Sequence, residues 1–161
     1  MENLLVRNIQ PSDNKILAAI IRNSLTEFNA AKPGTVYFDE TTDRLSEIFT
    51  MPRSSYFVAT LDGEIIGGAG IFPTKNLPAK TCELVKLYLS AGARGKGIGK
   101  LLLAKCEDAA MQMGYTKIYL ETMPELSSAV TLYKKMGYQY LPSAMGNSGH
   151  CGCDIWMLKE L

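Results

Sequence analysis

A strand that runs through a glycine-rich turn into a helix is the feature that most limits the folds open to this chain. Cys82–Ser90 has the composition of a strand, Ala91–Gly97 is rich in glycine, and Ile98–Met113 carries apolar residues at helical spacing. N–H groups at a helix start are unpaired and carry partial positive charge. Cationic side chains lie at the same point: Arg94, Lys96 and Lys100. The turn therefore predicts a pyrophosphate site.

The rest of the chain alternates short strands and helices. Asp62-Gly63 predicts a hairpin between strands Tyr56–Leu61 and Glu64–Phe72. Further strands are predicted at Leu4–Ile9, Lys117–Thr122, Tyr138–Leu141 and Cys153–Leu158, and helices at Pro11–Phe28, Thr42–Thr50 and Ser127–Met136. The order β-α-α-β-β-β-α-β-α-β-β predicts one α/β domain over residues 1–161, a mixed sheet with helices on its faces.

Two patterns refine this prediction. Gly67, Gly68 and Gly70 lie inside one strand, which predicts a bulge or a close backbone approach. The long helix is expected to bury one face, formed by Ile98, Leu101, Leu102, Cys106 and Ala109.

Composition excludes several classes of protein. The 161 residues are 47% hydrophobic and 20% charged, which is typical of a globular chain and not of a disordered one. The net charge of +1 gives no overall field for nucleic acid or an anionic membrane, so neither is expected as a partner. The longest apolar run, Ile16–Ile21, is too short to span a bilayer, and no signal peptide is evident. Four cysteines are too few for a disulfide scaffold, so a cytoplasmic protein with reduced thiols is expected.

The turn does not match two common phosphate motifs. A P-loop ends in Gly-Lys-Ser/Thr, whereas Leu101 follows Lys100 here, and the dinucleotide fingerprint needs glycine at position 100. The pattern that fits is R-x-x-G-x-G, with Arg94, Gly97 and Gly99. A second element, Ala129–Tyr138, reads A-V-T-L-Y-K-K-M-G-Y. With these two elements the chain resembles the GNAT superfamily of acetyl-CoA-dependent N-acetyltransferases.

The resemblance implies a mostly antiparallel sheet with helices on both faces, and acetyl-CoA as co-substrate. It implies that the strand Leu87-Tyr88-Leu89 binds the pantetheine arm, with an amide near Leu89 stabilising the oxyanion. The pyrophosphate would be held by the main-chain amides of Arg94, Gly95, Lys96, Gly97, Ile98, Gly99 and Lys100.

The resemblance also implies catalytic roles. Tyr133 would protonate the leaving thiolate; a core aromatic is the alternative. Glu83, at the start of the cofactor strand, is a candidate base for the substrate ammonium; an ion pair with Lys86 is the alternative. Where many relatives carry Asn this chain has Leu126, and Ser128 or its neighbour Ser127 is a candidate replacement for that polar contact.

The acceptor is expected to be a primary amine of a small molecule or a protein. Candidate substrate-binding residues are Phe28 and Tyr37, with Asp39 near them; packing of the first two helices is the alternative for the aromatic rings. The single histidine, His150, lies in a glycine-bearing loop and is a third candidate, with a plain loop residue as the alternative. No metal is expected, because Cys151 and Cys153 lack zinc-ligand spacing. Two other functions remain open: a CoA-sensing or regulatory module without acetyl transfer, and an interaction domain. A monomer or a homodimer is equally compatible with the sequence.

Overall fold

The computed structural model describes residues 2–161 and has one seven-stranded sheet, in the order β1-β2-β3-β4-β5-β7-β6. All neighbouring strands are antiparallel except β4 and β5, which are parallel. The strands are β1 (Leu4–Asn8), β2 (Ser55–Leu61), β3 (Glu64–Phe72), β4 (Thr81–Leu89), β5 (Lys117–Thr122), β6 (Gln139–Leu141) and β7 (Ile155–Glu160). The helices are α1 (Asn14–Glu27), α2 (Leu45–Ile48), α3 (Ile98–Gln112) and α4 (Ser127–Lys135).

Helices cover both faces of the sheet because successive strand residues point in opposite directions. On β2, Tyr56 and Val58 pack with the apolar stripe of α1, while Phe57 and Ala59 pack in the cluster that contains α3 and Tyr133 of α4. The predicted α/β class, the mixed sheet and the helices on both faces are confirmed. No helix within residues 2–161 has the length and apolar character of a membrane span.

Three local predictions are wrong. Thr42–Thr50 is not one helix: a 3-10 turn, Glu40–Arg44, precedes the single α-turn of α2, because the Asp39 side chain accepts the Thr41 N–H and starts a tighter turn. On α3 the buried face includes Leu103 and Ala110, whereas Leu101 is exposed. The last strand begins at Ile155, two residues later than predicted, so Cys153 lies in the loop before it.

The predicted close approach at the β3 glycines is confirmed. A Cβ on Gly68 would lie 2.5 Å from the Tyr56 ring, and one on Gly67 would lie 2.2 Å from the Tyr88 carbonyl oxygen. The Tyr56 ring fits here because Gly68 and Gly70 have no side chains, since a Cβ on Gly70 would lie 2.7 Å from the same ring. Next to them, β4 has an extra residue: Gly70 pairs with Val85, but Gly68 pairs with Tyr88.

Lys86 adopts the left-handed conformation in this bulge, with φ of 53°, and the Tyr56 hydroxyl donates a 2.8 Å hydrogen bond to its carbonyl.

Replacing Tyr56 with phenylalanine leaves the Lys86 carbonyl without its donor. We expect a loss of about 1–2 kcal/mol in the free energy of unfolding, measured by urea denaturation. Tyr37→Phe, which removes a hydroxyl from a half-buried ring, is the control; equal stability of the two variants would show that the bond does not support the bulge.

Candidate active site

The site begins where two parallel strands separate. β4 and β5 pair only at their first three residues, Thr81–Glu83 with Lys117–Tyr119. Beyond Glu83 no described residue of β5 pairs with β4, and the bulge at Lys86 turns β4 away. The second half of β4 therefore presents backbone N–H and C=O groups to an open cleft, which is the geometry an extended ligand uses to add to a sheet.

A cavity of about 50 Å³ lies in this cleft. Its walls come from β4, β5, the start of α4 and the loop before β7. The lining includes Leu84, Lys86, Leu87, Tyr88, Leu120, Glu121, Leu126, Tyr133, His150 and Cys153. The cavity has room only for the reacting end of a ligand, and the polar side chains of Lys86, Glu121 and His150 converge on it.

The glycine turn sits at the end of β4. Gly95 and Gly97 have φ of 76° and 79°, which side chains disfavour, and a Cβ on either would meet nothing within 4 Å. Among residues 2–161, the N–H groups from Gly95 to Lys100 find no backbone acceptor; the first such bond is from Leu101 to Gly97. The turn is therefore an open nest of free donors at the start of α3, and it fits a diphosphate.

Arg94 does not belong to this nest: its main-chain N–H, predicted to bind the pyrophosphate, donates to the Ala91 carbonyl at 3.4 Å, and its side chain points elsewhere. Its guanidinium donates to the Leu89 carbonyl at 3.0 and 3.2 Å and to Glu27 at 2.7 Å, and it lies over the Phe28 ring at 4.6 Å. The Ser24 hydroxyl also donates to the Leu89 carbonyl, at 3.1 Å. Arg94 thus ties the end of β4 to α1, a role that the sequence motif did not reveal.

Tyr133 projects from α4 into the cavity wall and is 6% exposed. Its ring meets Tyr138 edge to face, with centroids 5.8 Å apart. Burial raises the pKa of Tyr133 above its ordinary value. A phenol with a raised pKa keeps its proton at neutral pH, so the hydroxyl faces the cavity as a hydrogen-bond donor.

Glu83 is 3% exposed and lies just behind the cavity. Its carboxylate, that of Glu121 and a ring nitrogen of His150 all lie within 4.8 Å of one another. Burial, the largest cause, raises the pKa of Glu83 to about 7; Glu121 adds to this, and a 2.5 Å hydrogen bond from Thr74 opposes it. A carboxylate with this pKa can accept a proton near neutral pH.

Asp39 lies next to the cluster of Glu83, Glu121 and His150. Its carboxylate is 3.2 Å from a ring nitrogen of His150 and 3.8 Å from the Lys86 ammonium. The bond to His150 is the largest cause that lowers the pKa of Asp39, whereas burial lowers the pKa of Lys86. Asp39 therefore anchors the His150 loop over the cavity.

Cys153 also lines the cavity, and burial raises the pKa of its thiol to about 12, so it stays protonated.

The structure brings five of the residues predicted from sequence together at one cavity. Leu87, Tyr88, Tyr133 and His150 line one cavity, with Glu83 behind it. Phe28 and Tyr37 are half-buried and lie outside the described lining, and Ser128 is exposed, so their roles stay predictions. Sequence reasoning missed Glu121 and Lys86 as cleft residues, although their strand positions carried a signal: they lie on the two strands that flank the turn and helix.

Comparison with known proteins agrees with this geometry. The model of the Acetyltransferase (GNAT) family matches residues 21–138. Uncharacterized N-acetyltransferase YjgM of Escherichia coli (strain K12) is 34% identical over 158 residues, 98% of this chain and 95% of that protein. N-acetyltransferase 8 of Rattus norvegicus is 39% identical over 88 residues, 53% of this chain but only 40% of that protein.

Two solved structures share the fold. The acetyltransferase of GNAT family from Staphylococcus aureus Mu50 superposes with a TM-score of 0.81 at 18% identity, covering 98% of this chain and 99% of that one. The PaiA N-acetyltransferase from Thermoplasma acidophilum, in complex with coenzyme A, gives a TM-score of 0.78 at 21% identity, covering 99% of each chain. At these identities the likeness concerns the fold.

Proposed function

Because the chain belongs to the GNAT family of acetyltransferases, we propose that it transfers the acetyl group of acetyl-CoA directly to a primary amine of a small molecule or a protein. The observation that carries this proposal is the run of free N–H groups from Gly95 to Lys100 at the mouth of the splayed-strand cleft. That pairing of a diphosphate nest with an open strand edge suits a ligand with a long arm and a phosphorylated end.

The chain's own groups supply each step. The open edge of β4 aligns the thioester, and an amide near Leu89 faces the oxyanion that forms as the amine nitrogen bonds to the carbonyl carbon. Glu83, directly or through a bound water, takes the proton that the nitrogen loses. Tyr133 donates its proton to the sulfur as the carbon–sulfur bond breaks, which releases the free thiol.

The nest can be tested with Gly99→Glu. A Cβ at this position would point toward Leu132, 3.4 Å away, and Leu89, 3.8 Å away, so the longer side chain enters the space between β4 and α4. An added carboxylate repels a diphosphate and blocks its approach. We expect acetyl-CoA affinity, measured by calorimetry, to fall at least about tenfold, or about 1.4 kcal/mol.

Gly99→Ala, which adds only a methyl group, is the matched control and should bind acetyl-CoA nearly as the parent does. Unchanged binding by a folded Gly99→Glu variant would remove the nest from the site. Release of free thiol in the presence of amines separates an enzyme from a sensing module: binding without release from any amine would contradict acetyl transfer.

A further inference from the structure

A second cavity opens beside the cleft. It has a volume of about 310 Å³ and shares Glu121, His150 and Cys153 with the first. The rest of its lining comes from Trp156 and the loop of residues 144–151. Its size is at the lower end for small-ligand pockets, roughly 300–1,000 Å³. An acceptor whose reacting nitrogen lies in the first cavity would therefore place its remaining atoms in this second one, here called the acceptor groove.

Glu121 and Trp156 are brought together by the sheet. They are direct partners in the antiparallel pairing of β5 and β7, so their side chains lie side by side on one face. Both line the acceptor groove. A carboxylate next to an indole attracts a cation in two ways, by charge and through the aromatic face.

The Glu121 carboxylate is oriented but not neutralised. The Tyr119 hydroxyl donates to one oxygen at 2.5 Å, and the Ser148 hydroxyl donates to the other. Asp39, by contrast, already has Lys86 and His150 as partners. Within residues 2–161, no lysine or arginine forms an ion pair with Glu121, so its charge is available to a ligand.

We propose that Glu121 and Trp156 form a subsite for a positively charged group of the acceptor, so that the preferred acceptor carries a second cationic group beyond the reacting amine. This inference rests on the acetyl-transfer function proposed above. An acceptor with a carboxylate at the same place would face Glu121 without a compensating cation and would be rejected.

The experiment uses Trp156 as its own reporter, because it is the only tryptophan in the chain. Diaminobutane, butylamine and γ-aminobutyrate, which have similar lengths, are titrated separately into the CoA-bound protein while indole fluorescence is recorded. We expect a saturable change with diaminobutane, binding at least about tenfold weaker with butylamine, and no saturation with γ-aminobutyrate over the same range.

Glu121→Gln should weaken diaminobutane binding by about tenfold or more, whereas Glu160→Gln, which removes an exposed carboxylate from the far end of β7, should not. No saturable signal with diaminobutane, equal binding of γ-aminobutyrate, or an unchanged Glu121→Gln variant would each overturn the subsite. All of these outcomes are binding measurements that do not depend on acetyl transfer. Acetyl transfer itself is tested separately, by CoA binding and by the release of free thiol.

Discussion

Replacing Tyr133 with phenylalanine should lower the rate of acetyl transfer by about two to three orders of magnitude, while acetyl-CoA binds with nearly unchanged affinity. The hydroxyl is the only atom removed from a ring that packs edge to face on Tyr138, so the fold of α4 is retained. Burial keeps the pKa of this phenol above its ordinary value, and the group is therefore protonated when a thiolate leaves. Without it, the thiolate must take its proton from water.

Steady-state kinetics with saturating acetyl-CoA, together with calorimetric binding, measure this effect. The loss should appear in kcat and not in the dissociation constant, because the proton moves only as the carbon–sulfur bond breaks. Tyr140→Phe is the matched control, since Tyr140 is 54% exposed on the edge strand β6. A Tyr133→Phe enzyme with parental kcat would assign this ring to packing alone.

Replacing Glu83 with glutamine should lower kcat/KM by about two orders of magnitude above neutral pH and remove an inflection from the pH profile. The parent should gain activity with rising pH through about 7, the pKa to which burial raises Glu83, because only the ionised carboxylate accepts a proton. Ionisation of the acceptor amine adds the same slope to the pH profiles of the parent and the variant. The profile is measured from about pH 5 to 9, and the difference between parent and variant isolates Glu83.

The same group makes stability depend on pH. A carboxyl whose pKa is raised by folding favours the folded state only while it is protonated, so this contribution is lost as pH rises from about 4.5 to about 7. The free energy of unfolding of the parent, relative to Glu83→Gln, should fall by about 3 kcal/mol across that window. Glu64→Gln, at the exposed hairpin, should show neither change. A parent profile without an inflection that Glu83→Gln removes would exclude Glu83 as the base.

Much of the fold could be predicted from local pattern. Asp62-Gly63 fixed a hairpin, and the bounds predicted for Glu64–Phe72 and Lys117–Thr122 are those observed, because strand composition and turn chemistry act over a few residues. The helix predicted over Thr42–Thr50 was wrong for a local reason too, because the Asp39 cap starts a 3-10 turn that competes with a helix. On α3, the apolar Leu101 is exposed because it lies on the side of the helix away from the sheet, and which side faces the sheet depends on the tertiary packing.

The candidate site divides in the same way. The glycine turn and Tyr133 could be located from sequence, since an anion nest and an element such as A-x-x-L-Y-x-K-x-G-Y are contiguous. Glu121 and Trp156 are 35 positions apart in the chain, and Asp39 and His150 are 111 apart. Such pairs meet only through strand register or loop packing, and no spacing in the sequence encodes them.

By itself the sequence determined most of the strands, the glycine turn and the types of side chain that can donate or accept protons, because these depend on neighbouring residues. The tertiary structure alone decided that β4 and β5 separate after three paired residues and that Arg94 binds the Leu89 carbonyl and the Glu27 carboxylate. It also decided that Glu121 lines the acceptor groove without an ion-pair partner among lysines and arginines of residues 2–161. The physical reason is that burial and charge pairing depend on distances in space, and those distances exist only once the sheet has formed.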